Sequence, residues 1–201
     1  MLIELSVFLL AAGIMQAVLL SVFLLLPSNI VQTSNRLLVV VLLTVAAGFG
    51  ELLLYGSGVS FSHPNYAYIG TLISLLQPPA IYLYTRSLMY CRFQIRLIHA
   101  VHLIPFAAGL IVFSTLYVPL PESEKITILQ QQDLPGMPEP LPLALVYHGV
   151  FLGWLGYSLG RLQSFNSDIQ RLYSDIARQQ ILWLRFLLSG YAGLWIVSII
   201  C

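Results

Sequence analysis

Charged side chains are scarce in this 201-residue chain, at 8% of the total, against about 25% in a soluble domain. Each one inside an apolar run is therefore informative. Glu51 lies five residues from the end of the apolar run 37–56, and His148 about five residues into the run 143–162. At ~1.5 Å per residue both sit roughly 8 Å below one surface of a membrane-sized layer. Ionisable groups at such depth face an interior or a wet cavity and find a partner. Their matched depth motivates a Glu51–His148 pair. Tyr55 follows Glu51 by one helical turn, on the same face, and Tyr147 is the neighbour of His148. Glu51, Tyr55, Tyr147 and His148 thus form a candidate pocket for a small polar ligand of unknown identity. The structural alternative is a simple hydrogen bond, or a Glu51 that reaches out to the headgroups.

Other chemistries lack their residues. His99 and His102 are three apart and share a helix face, but a metal site needs third and fourth ligands. His63 and His148 fall elsewhere along the chain. Hydrogen bonding at the interface is the better expectation for His99, and packing near Pro105 for His102. The 2 cysteines, Cys91 and Cys201, match no metal or redox spacing. No Ser/His/Asp set lies at one depth, and neither HExxH nor a Gly-rich phosphate loop is present. No catalytic residue, metal or cofactor is therefore expected, and the chain does not read as an enzyme. A net charge of +1 excludes a global basic face for nucleic acid.

The elements that must position these groups are apolar helices. The chain is 58% hydrophobic with mean hydropathy +0.86, which makes the lipid bilayer its expected solvent. Six segments have the roughly 20 apolar residues a span requires: 2–26, 37–56, 66–88, 97–118, 143–162 and 182–201. The expected fold is all-α, a polytopic membrane helix bundle forming one membrane-embedded domain over 1–201. The third segment contains Gln77, Pro78 and Pro79 near its middle. Proline inside a helix leaves the carbonyl four residues back without its donor. Pro78 and Pro79 would free the carbonyls of Ser74 and Leu75, for rescue by Gln77, Ser74, a neighbouring helix or water. This site reads either as a static kink or as a hinge. Gln16 is at similar depth, and a Gln16–Gln77 contact would link two helices.

Loop charge predicts orientation. Loops 27–36, 86–96 and 161–185 hold Arg36, then Arg86, Arg92 and Arg96, then Arg161, Arg171, Arg178 and Arg185: 8 of the 9 basic residues. The positive-inside rule makes these loops cytoplasmic. The N-terminus and the loop 119–142 are then outside, in a multi-pass protein of a bacterial cytoplasmic membrane. The start lacks the Lys or Arg of a secretory signal. An outward sixth helix ending in WIVSIIC suggests a fragment, with a seventh helix expected to follow. Within 166–185, Ile169, Leu172, Tyr173 and Ile176 recur at helical spacing, and Asp168, Arg171, Asp175 and Arg178 form opposite-charge pairs. Asn166 or Ser167 would cap this helix. It would lie on the headgroups or contact a partner, including a second copy in a homodimer.

Four stretches form an ordered set: SNRLLVVVLL (34–43), PPAIYLYTRSL (78–88), FQIRLIHAVHLIPF (93–106) and QQILWLRFLL (179–188). Together they resemble the multi-helix membrane region at the N-terminus of certain bacterial AraC-type transcriptional regulators. The resemblance covers essentially the whole chain. It implies a sensory and anchoring module whose longer parent binds DNA through a C-terminal helix-turn-helix domain absent from these 201 residues. A sensor for a histidine kinase or cyclic-dinucleotide enzyme is the alternative, with a small transporter behind it. A transporter should carry paired broken helices in two related halves.

Overall fold

A computed structural model describes residues 2–26, 32–90, 93–130 and 141–169, together with Phe186, residues 188–190, Ala192 and Gly193. All regular structure among them is helical. Helix α1 (Leu2–Leu25) is apolar all round, and it packs along α2 (Gln32–Gly56). Its other faces stay open, with Phe8 and Phe23 each 68% exposed. A helix of this kind is at home in lipid rather than in water. Among the described residues three stretches are long and apolar enough to cross a membrane: Leu5–Leu25, Thr33–Gly56 and Leu97–Tyr117.

The third expected span is divided. After α3 (Val59–Ser62) and a 3-10 turn at Pro64–Tyr66, the chain forms α4 (Ile69–Ser74) and α5 (Gln77–Met89). Between them the N–H groups of Leu75 and Leu76 donate three residues back, to Leu72 (3.2 Å) and Ile73 (3.0 Å). Pro78 and Pro79 stand in the first turn of α5. There a missing N–H breaks no intrahelical bond and the fixed φ suits the helix start. The prolines therefore begin a helix instead of kinking one from within. Both α4 and α5 pack on α2.

The Leu97–Tyr117 stretch also departs from a uniform helix. It opens as a 3-10 helix at Leu97–Leu103, becomes α6 (Ile104–Val112), and ends in a π turn at Phe113–Tyr117. Pro105 lies in the first turn of α6, so the ordinary α ladder starts there. The π turn closes with the Val118 N–H donating to the Phe113 carbonyl, five residues back, at 3.0 Å. It stacks Phe113 on Tyr117 at 5.3 Å.

Helix α7 (Glu122–Gln130) folds back from the expected outer loop against the Pro64–Tyr66 turn. Helix α8 (Leu141–Ile169) outlasts the expected span at its C-terminal end. It runs through Asn166 and Ser167 without a break, so no new helix is capped there. The remainder of that polar stretch, 170–185, and nearly all of 182–201 lie outside the described residues. Two apolar clusters hold the bundle. One joins Leu37 of α2, Ile81 and Tyr84 of α5, and Phe151, Leu155 and Leu162 of α8 with Leu188. The other gathers Ala67, Tyr117 and Leu129 under Tyr55, Phe61 and Tyr68.

Candidate functional site

Glu51 is half-buried on α2 and turns to α4. Its Oε2 accepts the Thr71 backbone N–H, and its Oε1 accepts the Thr71 hydroxyl at 3.1 Å. Thr71 lies in the first turn of α4, where backbone N–H groups have no helical acceptor. The N-cap, Tyr68, has φ 67° and supplies no side-chain cap. Glu51 therefore caps α4 from a neighbouring helix, and its negative charge suits the positive end of the helix dipole. Thr71 thus partners both oxygens of the Glu51 carboxylate. Tyr55, one turn along, donates its hydroxyl to the Leu129 carbonyl of α7 at 3.3 Å. Half-buried His148 sits on α8. Tyr147 is on the same helix, and its side chain lies outside the described residues. Glu51 and Tyr55 thus join α2 to α4 and α7.

A cap of short elements closes over this end. Lys125 of α7 is buried, with Nζ donating to Asn65 Oδ1 (2.8 Å) and the Val118 carbonyl (2.9 Å). It also lies 5.4 Å from the centre of the Tyr117 ring. Asn65 Nδ2 donates to Glu122 Oε1 at 3.2 Å, and the Tyr117 hydroxyl donates to the Pro64 carbonyl at 2.7 Å. These bonds tie the 64–66 turn, the π turn and α7 together.

Gln77, Pro78 and Pro79 are all buried. The Gln77 Nε2 makes no hydrogen bond, so it does not rescue a carbonyl freed by the prolines. Neither does it reach Gln16, which faces outward on α1. Ser74 donates its hydroxyl to the Gly70 carbonyl at 2.8 Å, one turn before the break.

A concavity among the described residues lies elsewhere, between α5, α6 and α8. It measures about 490 Å³ and is lined by Tyr82, His102, Pro105, Val150, Gly153, Trp154 and Tyr157. Tyr82 is the hub, with ring centres 5.0 Å from His102, 5.2 Å from Trp154 and 5.3 Å from Tyr157. His102 meets Trp154 edge-on at 4.7 Å. Arg86, one turn beyond Tyr82, bonds its hydroxyl at 3.4 Å. Its guanidinium lies over the rings of Tyr82 (5.8 Å), Tyr90 (5.8 Å) and Phe93 (5.7 Å). Arg161 lies 5.9 Å from the Tyr157 ring.

The expectations for the two histidines fit this picture. His99 Nδ1 accepts the Arg96 backbone N–H at 2.9 Å, and His102 packs beside Pro105 in the groove. Among the described residues no group of three or more His, Cys, Asp or Glu side chains could hold a metal ion. The sequence reading missed this groove. Tyr82 sits on α5 and Trp154 and Tyr157 on α8, far apart in the sequence and among many other aromatic residues. A usable signal was present in the spacing of Tyr82 to Arg86 and Tyr157 to Arg161, each four residues and so one helical turn.

These features define a class, an all-helical membrane protein with three membrane-length apolar helices among the described residues. At the finer level, no known protein family, characterised sequence or solved structure matches the chain.

Proposed function

We propose that this chain is the sensory and anchoring module of a bacterial one-component transcriptional regulator. It crosses the cytoplasmic membrane six times with its N-terminus outside. The observation that carries the reading is the placement of the arginines together with the ordered motif set. Eight of the 9 basic residues fall in alternate connections between the six expected spans, with Arg36, Arg86 and Arg161 within helices α2, α5 and α8. The four motifs follow the order of the AraC-type membrane region. Arg86 and Arg161, which frame the aromatic groove, would then lie toward the cytoplasm. Changes in helix packing on that side could be passed to a DNA-binding domain beyond residue 201. DNA is a partner only through that domain, and a homodimer would match a two-fold DNA site.

Two measurements test the proposal. A reporter fused after Arg96 should be active in the cytoplasm, and one fused after Asp133 should be active outside. The reverse pattern would overturn the orientation. The parent gene should continue past Cys201 into a helix-turn-helix reading frame. A stop codon there, or a kinase or cyclase domain, would overturn the output.

A further inference from the structure

The groove between α5, α6 and α8 joins two features that a single ligand class would satisfy. Its lining is aromatic and apolar, it is open along one side, and its ~490 Å³ lies within the usual range for small-ligand sites. Beside it stand two arginines, with no carboxylate in ion-pair contact with either among the described residues.

Arg86 is the more telling of the two. Ring contacts with Tyr82, Tyr90 and Phe93 hold the guanidinium in place. Among the described residues its hydrogen bond is the long one to Tyr82, while a guanidinium carries five N–H donors in a planar fork. A fork held by rings, with no counter-charge among the described residues, is suited to phosphate. A cationic ligand is disfavoured, because both arginines already occupy the aromatic faces at that end.

We infer that this groove binds an anionic phospholipid, with the acyl chain along Tyr82, Trp154 and Tyr157 and the headgroup phosphate on Arg86 and Arg161. The orientation proposed above enters only in assigning the lipid to the cytoplasmic leaflet. Basic pockets between helices on that side are suited to anionic headgroups, and each buried methylene adds about 0.8 kcal/mol. Gly153 makes the site testable, since a Cβ placed there meets nothing within 4 Å. A large side chain can fill the groove without disturbing the packing beneath it.

The test uses Trp154 as the probe, in a chain carrying Trp183→Phe and Trp195→Phe, reconstituted in phosphatidylcholine vesicles. Phosphatidylglycerol brominated on its acyl chains should quench Trp154 severalfold more than brominated phosphatidylcholine at the same mole fraction. Gly153→Phe and the double change Arg86→Ala, Arg161→Ala should each remove that excess. Quenching by phosphatidylcholine in the arginine variant should persist, showing that it still inserts and folds. Equal quenching by the two lipids in the parent chain would overturn the inference. So would competition by soluble glycerol phosphate, which would assign the site to a free phosphate. Vesicles present both leaflets to the protein, so this outcome is independent of orientation. Reversed reporters with intact lipid preference would overturn the orientation alone.

Discussion

Glu51 illustrates how one carboxylate inside an apolar segment can cap a neighbouring helix. Its oxygens accept the backbone N–H and the hydroxyl of Thr71, so the charge is placed against a helix end that lacks its own cap. Substituting a capping acceptor by Ala costs about 0.5–2 kcal/mol. Glu51→Ala should therefore lower unfolding stability in detergent by roughly 1–2 kcal/mol, and Glu51→Gln by less, because one acceptor oxygen remains. Thermal unfolding of the two variants checks the order, and an equal loss would contradict the capping role. The position of Glu51 was legible as a buried charge that needed a partner. The partner was not legible. Depth along two helices does not specify which faces meet, and the bond goes to a backbone N–H, which carries no sequence signature.

At the scale of elements, the double proline and the glycines decide how closely helices approach. A Cβ on Gly70 would lie 2.5 Å from the Ala47 carbonyl oxygen and 2.7 Å from Glu51 Cβ, both part of α2. A Cβ on Gly109 of α6 would crowd Leu75 Cδ1 and meet Leu72 Cδ1 at 3.3 Å, both the ends of flexible side chains. Gly70→Ala should thus push α4 off α2 and destabilise by about 1–3 kcal/mol, the range for overpacking. Gly109→Ala should cost clearly less, since Leu75 can change rotamer. Unfolding curves of both variants test the contrast, and a tolerated Gly70→Ala would mean that α4 is free to shift. The helix-breaking residues were visible in advance, but their use was not. Pro78 and Pro79 start α5 after a tightened turn at Leu75 and Leu76, where both α4 and α5 pack on α2. Helix α7 carried a start signal of its own, Pro121 followed by Glu122 and Glu124. Its short length hid it among loop residues.

At the scale of the whole molecule, helix length against bilayer thickness gives a direct test. Helix α8 has 29 residues, or about 44 Å at 1.5 Å per residue, while the hydrocarbon core is about 30 Å thick. In the proposed topology α8 spans the bilayer, so one end must reach the headgroups or beyond, and Arg161 would mark that end. In a chain carrying Cys91→Ser and Cys201→Ser, Ser164→Cys should react with a membrane-impermeant maleimide only after permeabilisation. Ser158→Cys should stay unreactive, since Ser158 is fully buried and bonded to the Trp154 carbonyl at 2.8 Å. Labelling of Ser164→Cys in intact cells would reverse the orientation. By itself the sequence determined the solvent and the helical class. Both follow from composition and run length, because backbone in lipid is satisfied within helices or closed barrels, and continuous apolar runs of about 20 residues suit helices. Only the tertiary structure decided which faces meet. It placed Glu51 under α4, folded α7 back over Tyr117, and brought Tyr82, His102, Trp154 and Tyr157 around one groove. Helices with apolar residues on every side leave their packing partners unspecified, so shape complementarity among a few glycines, prolines and aromatic rings makes that choice.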